Sequence, residues 1–167
     1  MPALTIYTIG HSNHPADRFA ALLGQHGIRL LADLRSQPVS RFSPQFSRAA
    51  LSAMLEASGI AYRWLGNRLG GRPRAPAVYD ADGHPDYAKM AGTPGFRDGI
   101  DDLLAAAAEM PTAIMCAERD PQKCHRNQLV TPALLARGAT VQHILGNGTL
   151  LVAAQQPPVT RQYKLFD

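Results

Sequence analysis

The sequence predicts an α/β protein, a single three-layer sandwich with a mainly parallel sheet and helices on both faces. Two patterns carry that expectation. Short apolar runs alternate with segments whose apolar residues recur three and four positions apart, the signature of strands alternating with amphipathic helices. Strands separated by helices need right-handed crossovers, and these place the strands in parallel and cover both faces of the sheet. Size agrees, since 167 residues make one domain with a substantial core.

The elements follow in order. Leu4 to Ile9 reads as the first strand, and after the Gly10-His11-Ser12 turn, Phe19, Leu22 and Leu23 mark a helix that ends before Gly27. Leu30 to Leu34 is a second strand, followed by a Ser/Pro-rich loop and a helix presenting Leu51, Met54 and Leu55, closed by Gly59. Ile60 to Leu65 is a third strand. The Gly/Pro/Arg stretch from Gly66 to Pro76 then predicts a long surface loop. Thr93-Pro94 opens a helix with proline at its first position and Phe96, Ile100, Leu103 and Leu104 on its buried stripe. Thr112 to Cys116 is a buried strand, a further helix begins near Cys124, and Ala139 to Leu145 is the last core strand. Pro132 cannot donate to a helical ladder, so it should kink that helix or split it at Thr131. The domain is expected to span residues 1–152, with an extended tail over residues 153–167 after the Asn147-Gly148 turn.

Composition narrows the class. Hydrophobic residues make up 46% and charged residues 18%, values that argue for a packed core rather than disorder. There is no apolar run of transmembrane length and no leader-like N-terminus, so a soluble, cytoplasmic protein is expected. Two cysteines are too few for a disulfide scaffold, and in a cytosol they would stay reduced. The formal charge of +4 comes mainly from arginine, the side chain best suited to phosphate. That balance admits nucleotide or nucleic-acid partners and equally fits an ordinary basic domain.

In parallel sheets, ligands sit outside the carboxyl ends of the strands. Those ends carry His11 and Ser12, then Asp33 and Arg35, then Asn67 and Arg68, and finally Cys116, Glu118, Cys124, His125 and Arg126. Cys124, beside Lys123, His125 and Arg126 at a helix start, has the surroundings of a reactive thiolate. Cys116 reads either as a second reactive thiol or as a small buried hydrophobe ending a strand. A reversible disulfide between the two lacks the usual Cys-x-x-Cys spacing. Zinc held by Cys116, Cys124, His125 and a remote His11 or Glu118 remains open, although the spacing matches no zinc ribbon or finger. No other cofactor is indicated. His11 is either an acid/base or a satisfied loop histidine, and Asp33 and Arg35 either a site pair or a structural ion pair. Tyr62 and Trp64, with the arginines from Arg63 to Arg74, suggest a stacking surface for nucleic acid or simply core.

The combination Thr8-Ile-Gly-His-Ser12, Asp33-Leu-Arg35 with Pro38 and Ser40, Tyr62, Leu69-Gly-Gly71, Cys116-Ala-Glu118 and Cys124-His-Arg126 resembles the DUF488 family, from about Leu4 to Leu145. That family has no assigned function. The resemblance implies an α/β fold and marks His11, Ser12, Asp33, Arg35, Cys116, Glu118, Cys124, His125 and Arg126 as motif positions. It implies no cofactor.

The functional expectation is a small enzyme acting on a phosphorylated substrate, nucleotide or nucleic acid. Cys116, Cys124, Glu118 and His11 would supply the chemistry, and Ser12, Asp33, Arg35, His125 and Arg126 would bind substrate, with Arg35 and Arg126 as anion clamps. The alternatives are a non-catalytic nucleic-acid or sliding-clamp-associated module in DNA maintenance, and a metal-dependent hydrolase. Gln162, Leu165 and Phe166 in the tail resemble a short clamp-binding peptide.

Overall fold

The computed structural model describes residues 3–153. Six strands form one sheet in the order β3-β2-β4-β1-β5-β6. They are β1 (Thr5–Gly10), β2 (Leu30–Asp33), β3 (Ala61–Trp64), β4 (Thr112–Cys116), β5 (Thr140–Ile144) and β6 (Leu150–Val152). The first five run in parallel, while β6 pairs antiparallel with β5 at the edge. The helices are α1 (Ala16–Gln25), α2 (Arg48–Ala57), α3 (Gly66–Leu69), α4 (Tyr87–Ala91), α5 (Pro94–Glu109) and α6 (Thr131–Ala136). The three-layer sandwich and the mainly parallel sheet are as the alternation of strands and helices required.

Side-chain alternation along the strands divides the core in two. Ile9, Leu31, Ala113, Met115 and Ile144 face Phe19, Leu22 and Leu23 of α1 and Leu51 and Leu55 of α2. Ile6, Ala32, Ile114 and Val141 face Phe96, Ile100 and Leu103 of α5 and Leu134 of α6. The excursion from β1 to β3 therefore runs over one face. The chain then returns to place β4 between β2 and β1 and continues over the other face. His11, Asp33 and Cys116 end or follow the three central strands, where the two directions of winding diverge. That is the crevice expected of an open parallel sheet.

Local sequence explains the boundaries. Thr93 caps α5, its hydroxyl oxygen accepting from the Phe96 N–H at 3.3 Å, and Pro94 occupies the first turn. Near Pro132 the chain forms a π-helical turn over Arg126–Val130 before α6 begins at Thr131. Both the backbone N–H and the hydroxyl of Thr131 donate to the Arg126 carbonyl, the hydroxyl at 2.6 Å. The expected break at Thr131 is thus real, and it takes the form of a widened turn, a feature often found at functional sites.

Two expectations are corrected. The segment from Gly66 is not wholly a surface loop: Gly66 to Leu69 form α3, and Gly66, Leu69, Gly70 and Gly71 are buried. A Cβ at Gly66 would overlap the Arg35 carbonyl oxygen, so glycine is required where α3 presses against the β2 loop. The second is an omission: β5 is the last core strand, as expected, but an exposed edge strand, β6, follows it. Asn147-Gly148 closes a hairpin, with Gly148 at φ +89°, before Leu150–Val152 returns along the edge.

Gly10 makes a comparable close approach. A Cβ there would collide with the Glu118 carbonyl oxygen. Gly10→Ala is expected to destabilise the fold by about 2–4 kcal/mol, because the backbone around Glu118 must move. Urea unfolding monitored by circular dichroism measures this, and an unchanged midpoint would show that the loop yields freely.

Candidate active site

The strand ends surround a cavity of about 650 Å³. Of the residues singled out from sequence, His11, Arg35, Cys116, Glu118, Cys124 and His125 line it. Ser12, Asp33 and Arg126 do not. Ser36, Gln37, Val39, Ser40, Gly71, Arg72, Tyr87, Ala117 and Lys123 complete the wall.

Asp33 is wholly buried and saturated. It accepts from Arg35 Nε at 2.9 Å and Nη2 at 2.7 Å, from the Arg35 backbone N–H at 3.1 Å, and from the Tyr62 hydroxyl at 2.6 Å. Its task is to hold Arg35 against the cavity rather than to touch a ligand. Tyr62 and Trp64 are half-buried and serve the same segment, with Trp64 Nε1 donating to the Arg35 carbonyl at 2.8 Å. Arg48 lies over both rings. Burial, then the hydrogen bond to Asp33, raises the Tyr62 pKa, so the phenol remains a donor.

His11 stacks on Phe46, with ring centroids 4.5 Å apart. Its pKa is lowered to about 4, chiefly by burial, so the ring is neutral at neutral pH. Nδ1 lies 2.7 Å from the Ser12 carbonyl and so carries the proton, which leaves Nε2 to accept from Arg35 Nη1 at 3.4 Å. This makes His11 a poor acid at neutral pH. Ser12 bears φ 47°, a left-handed conformation uncommon outside glycine, and its hydroxyl bonds Asn13.

Across the sheet, Arg126 is fully buried beneath Cys116. Its Nη1 lies 2.8 Å from the Cys116 sulfur and donates to the Glu118 carbonyl at 2.6 Å. Its Nε donates to the Thr8 hydroxyl at 3.1 Å, and Nη2 to the Arg119 carbonyl at 3.3 Å. The Thr8 hydroxyl in turn lies 2.6 Å from Nδ1 of buried His143, whose pKa burial lowers to about 4. Burial draws the Arg126 pKa down to about 10, opposed by Glu118 and Asp120, so it stays charged at neutral pH. Arg126 therefore sits against the Cys116 sulfur and outside the cavity wall, away from the position an anion clamp needs.

The cysteines are not separate reduced thiols, as compartment alone suggested. The sulfurs of Cys116 and Cys124 meet as a disulfide pair, with Cα atoms 7.4 Å apart. His125 Nδ1 is 3.8 Å from the Cys124 sulfur. Burial lowers the His125 pKa to about 4, and its ring packs against Gly71. Glu118 Oε1 accepts the Asp120 N–H at 3.1 Å, which orients the carboxylate.

Two polar atoms of the cavity wall, the Tyr87 hydroxyl and His125 Nε2, are buried without a hydrogen-bond partner. Buried polar atoms are rarely left unpaired, so both are exceptions within the cavity wall. Tyr87 was missed in the sequence because it lies outside every strand end, on α4. Among the described residues, Asp80, Asp82 and His84 form a group with metal-ligand proximity, but none of them lines the cavity. Asp80 Oδ1 already accepts the N–H groups of Asp82 and His84. No described helix is long and apolar enough to cross a membrane. Gln162, Leu165 and Phe166 lie outside the described residues.

A family model described as Domain of unknown function DUF488 matches residues 15–131. The matched range takes in Asp33, Arg35, Cys116, Glu118, Cys124, His125 and Arg126, and begins after His11 and Ser12. No curated protein and no solved structure matches the chain.

Proposed function

This chain belongs to the DUF488 family, and from that premise and the cavity's chemistry we propose a thiol-dependent enzyme acting on a phosphorylated substrate, a nucleotide or nucleic acid. One observation carries the reading. Cys116 lines the cavity with the Arg126 guanidinium 2.8 Å from its sulfur on the buried side. A fixed cation beside a thiol favours the thiolate, which is the nucleophile. In the reduced protein Cys116 is the nucleophile of this reading and Glu118, the carboxylate of the cavity wall, its acid/base.

Arg72 and Lys123 line the cavity and enter no ion pair among the described residues, so they have charge to give a phosphate. Arg35 contributes less charge, because Asp33 neutralises it. Tyr87 and His125 supply the unpaired polar atoms that would fix orientation.

Protection of the thiol tests this. Inorganic phosphate or a nucleoside monophosphate is expected to slow alkylation of reduced Cys116 by iodoacetamide, and Arg72→Ala with Lys123→Ala to abolish the protection. Failure of both anions to protect Cys116 would remove the reading.

A second reading, a non-catalytic nucleic-acid module, is favoured by the loop beside the cavity. Val39 there is 70% and Phe42 92% exposed, and the Arg41 guanidinium lies 5.9 Å from the Phe42 ring centroid. A cation beside an exposed aromatic suits single-stranded nucleic acid. Salt-sensitive oligonucleotide binding that survives Cys116→Ser but falls with Phe42→Ala would favour it.

A further inference from the structure

We propose a second activity for the same cavity: Cys116 reduces hydroperoxides, and Cys124 resolves the oxidised sulfur to a disulfide. The two cysteines are eight residues apart in sequence, yet their sulfurs meet. Cys116 ends a central strand, whereas Cys124 precedes the π-helical turn, so each rides on its own element. Their Cα separation of 7.4 Å exceeds the usual span of about 4.4–6.8 Å for a settled crosslink. The bond ties the end of a central strand to the loop before the π-helical turn. Both sulfurs border the cavity, yet Cys116 is 3% and Cys124 5% exposed, which admits a small oxidant and shields the pair from bulky ones.

The two thiols are chemically unequal. Arg126 Nη1 is 2.8 Å from the Cys116 sulfur, while Cys124, apart from Cys116 itself, has the neutral ring of His125 at 3.8 Å. Cys116 is therefore the attacking thiolate. It attacks the terminal oxygen of ROOH, the O–O bond breaks, and RO⁻ leaves and takes a proton to become ROH, with Cys116 left as a sulfenic acid. The Cys124 thiolate then attacks that sulfur. Hydroxide leaves and is protonated to water, and the disulfide forms. One hydroperoxide and two thiols thus give one alcohol, one water and one disulfide, and an external dithiol restores the pair by exchange. While the disulfide persists, Cys116 cannot serve as a nucleophile. That silencing rests on the function proposed above, whereas the oxidation itself does not.

The full chain, reduced and freed of reductant, would be treated with stoichiometric hydrogen peroxide and read by intact mass and peptide mapping. The expected product has lost two hydrogens and carries a Cys116–Cys124 linkage. In Cys124→Ser, dimedone should label Cys116. In Cys116→Ser, labelling of Cys124 should be at least about tenfold weaker, as its less activated surroundings imply. Wild-type protein that keeps both thiols alkylatable after peroxide overturns the proposal, as does preferential dimedone labelling of Cys124. These readouts involve no phosphorylated substrate, so their failure leaves the phosphate-protection test standing, and the reverse also holds.

Discussion

Acidification from pH 7.5 to pH 5 is expected to remove on the order of 5 kcal/mol of stability, enough to bring a domain of ordinary stability near its unfolding midpoint. The cause lies in three histidines held neutral inside the fold. His11, His125 and His143 each have a pKa lowered to about 4, with burial the leading cause in every case. In the unfolded chain each returns to about 6.5 and binds a proton more readily than in the native state. Stability is therefore full above about pH 6.5, falls as the unfolded histidines take up protons, and reaches its floor below about pH 4. Each contributes about 2 kcal/mol of the loss at pH 5. Urea unfolding by circular dichroism at pH 7.5, 6 and 5 measures the slope, and His143→Gln should remove about a third of it. Stability that is flat from pH 7.5 to pH 5 would contradict the neutral assignments.

The elements most legible in the sequence are those whose local chemistry is decisive. The β-branched and aliphatic runs of β1, β2, β4 and β5 sit in a doubly covered sheet, where both faces of a strand are largely buried. Thr93-Pro94 and Pro132 act through the backbone, and the structure places a helix start and a helical break where they stand. Weaker signals misled. Gly66 to Gly71 has a loop's composition, but Gly66 at the start of α3 meets the Arg35 carbonyl, and Gly71 after it the His125 ring, too closely for a Cβ. Asn147-Gly148 with Leu150 to Val152 is a hairpin signal that the apparent end of the parallel sheet obscured.

The site was legible in membership more than in role. Strand-end reasoning collected His11, Arg35, Cys116, Glu118, Cys124 and His125 onto one cavity. It could not order residues by depth. Asp33 and Arg126 read as substrate-binding residues in sequence, yet the structure turns both inward, one beside Arg35 and the other beside Cys116. The alternation of Tyr62 and Trp64 along β3 leaves core and stacking surface both open; on this edge strand Tyr62 packs against the core, and the polar tips of both reach across to the Asp33-to-Arg35 segment. The pairing of Cys116 with Cys124 depends on the loop between them returning to the end of β4, which spacing alone does not determine.

Arg126 is where the architecture and the proposed chemistry can be separated. Arg126→Leu is expected to destabilise the protein by about 3–5 kcal/mol, the range for breaking a buried charged network. The loss arises because the Glu118 and Arg119 carbonyls forfeit their guanidinium donor and the Thr8 hydroxyl loses its own. A purely structural role predicts that loss and nothing more. A role in activating the thiol predicts in addition that reduced Cys116 alkylates only at higher pH than in the wild type, while Cys124 is unaffected. Arg126→Lys sharpens the distinction. A lysine keeps the positive charge but cannot reach thiol, hydroxyl and two carbonyls from one planar fork. It should recover part of the pH shift at Cys116 while remaining destabilised. Parallel urea melts and pH-resolved alkylation of the two variants report the two effects separately. An unshifted Cys116 profile in a folded Arg126→Leu protein would leave Arg126 as architecture alone.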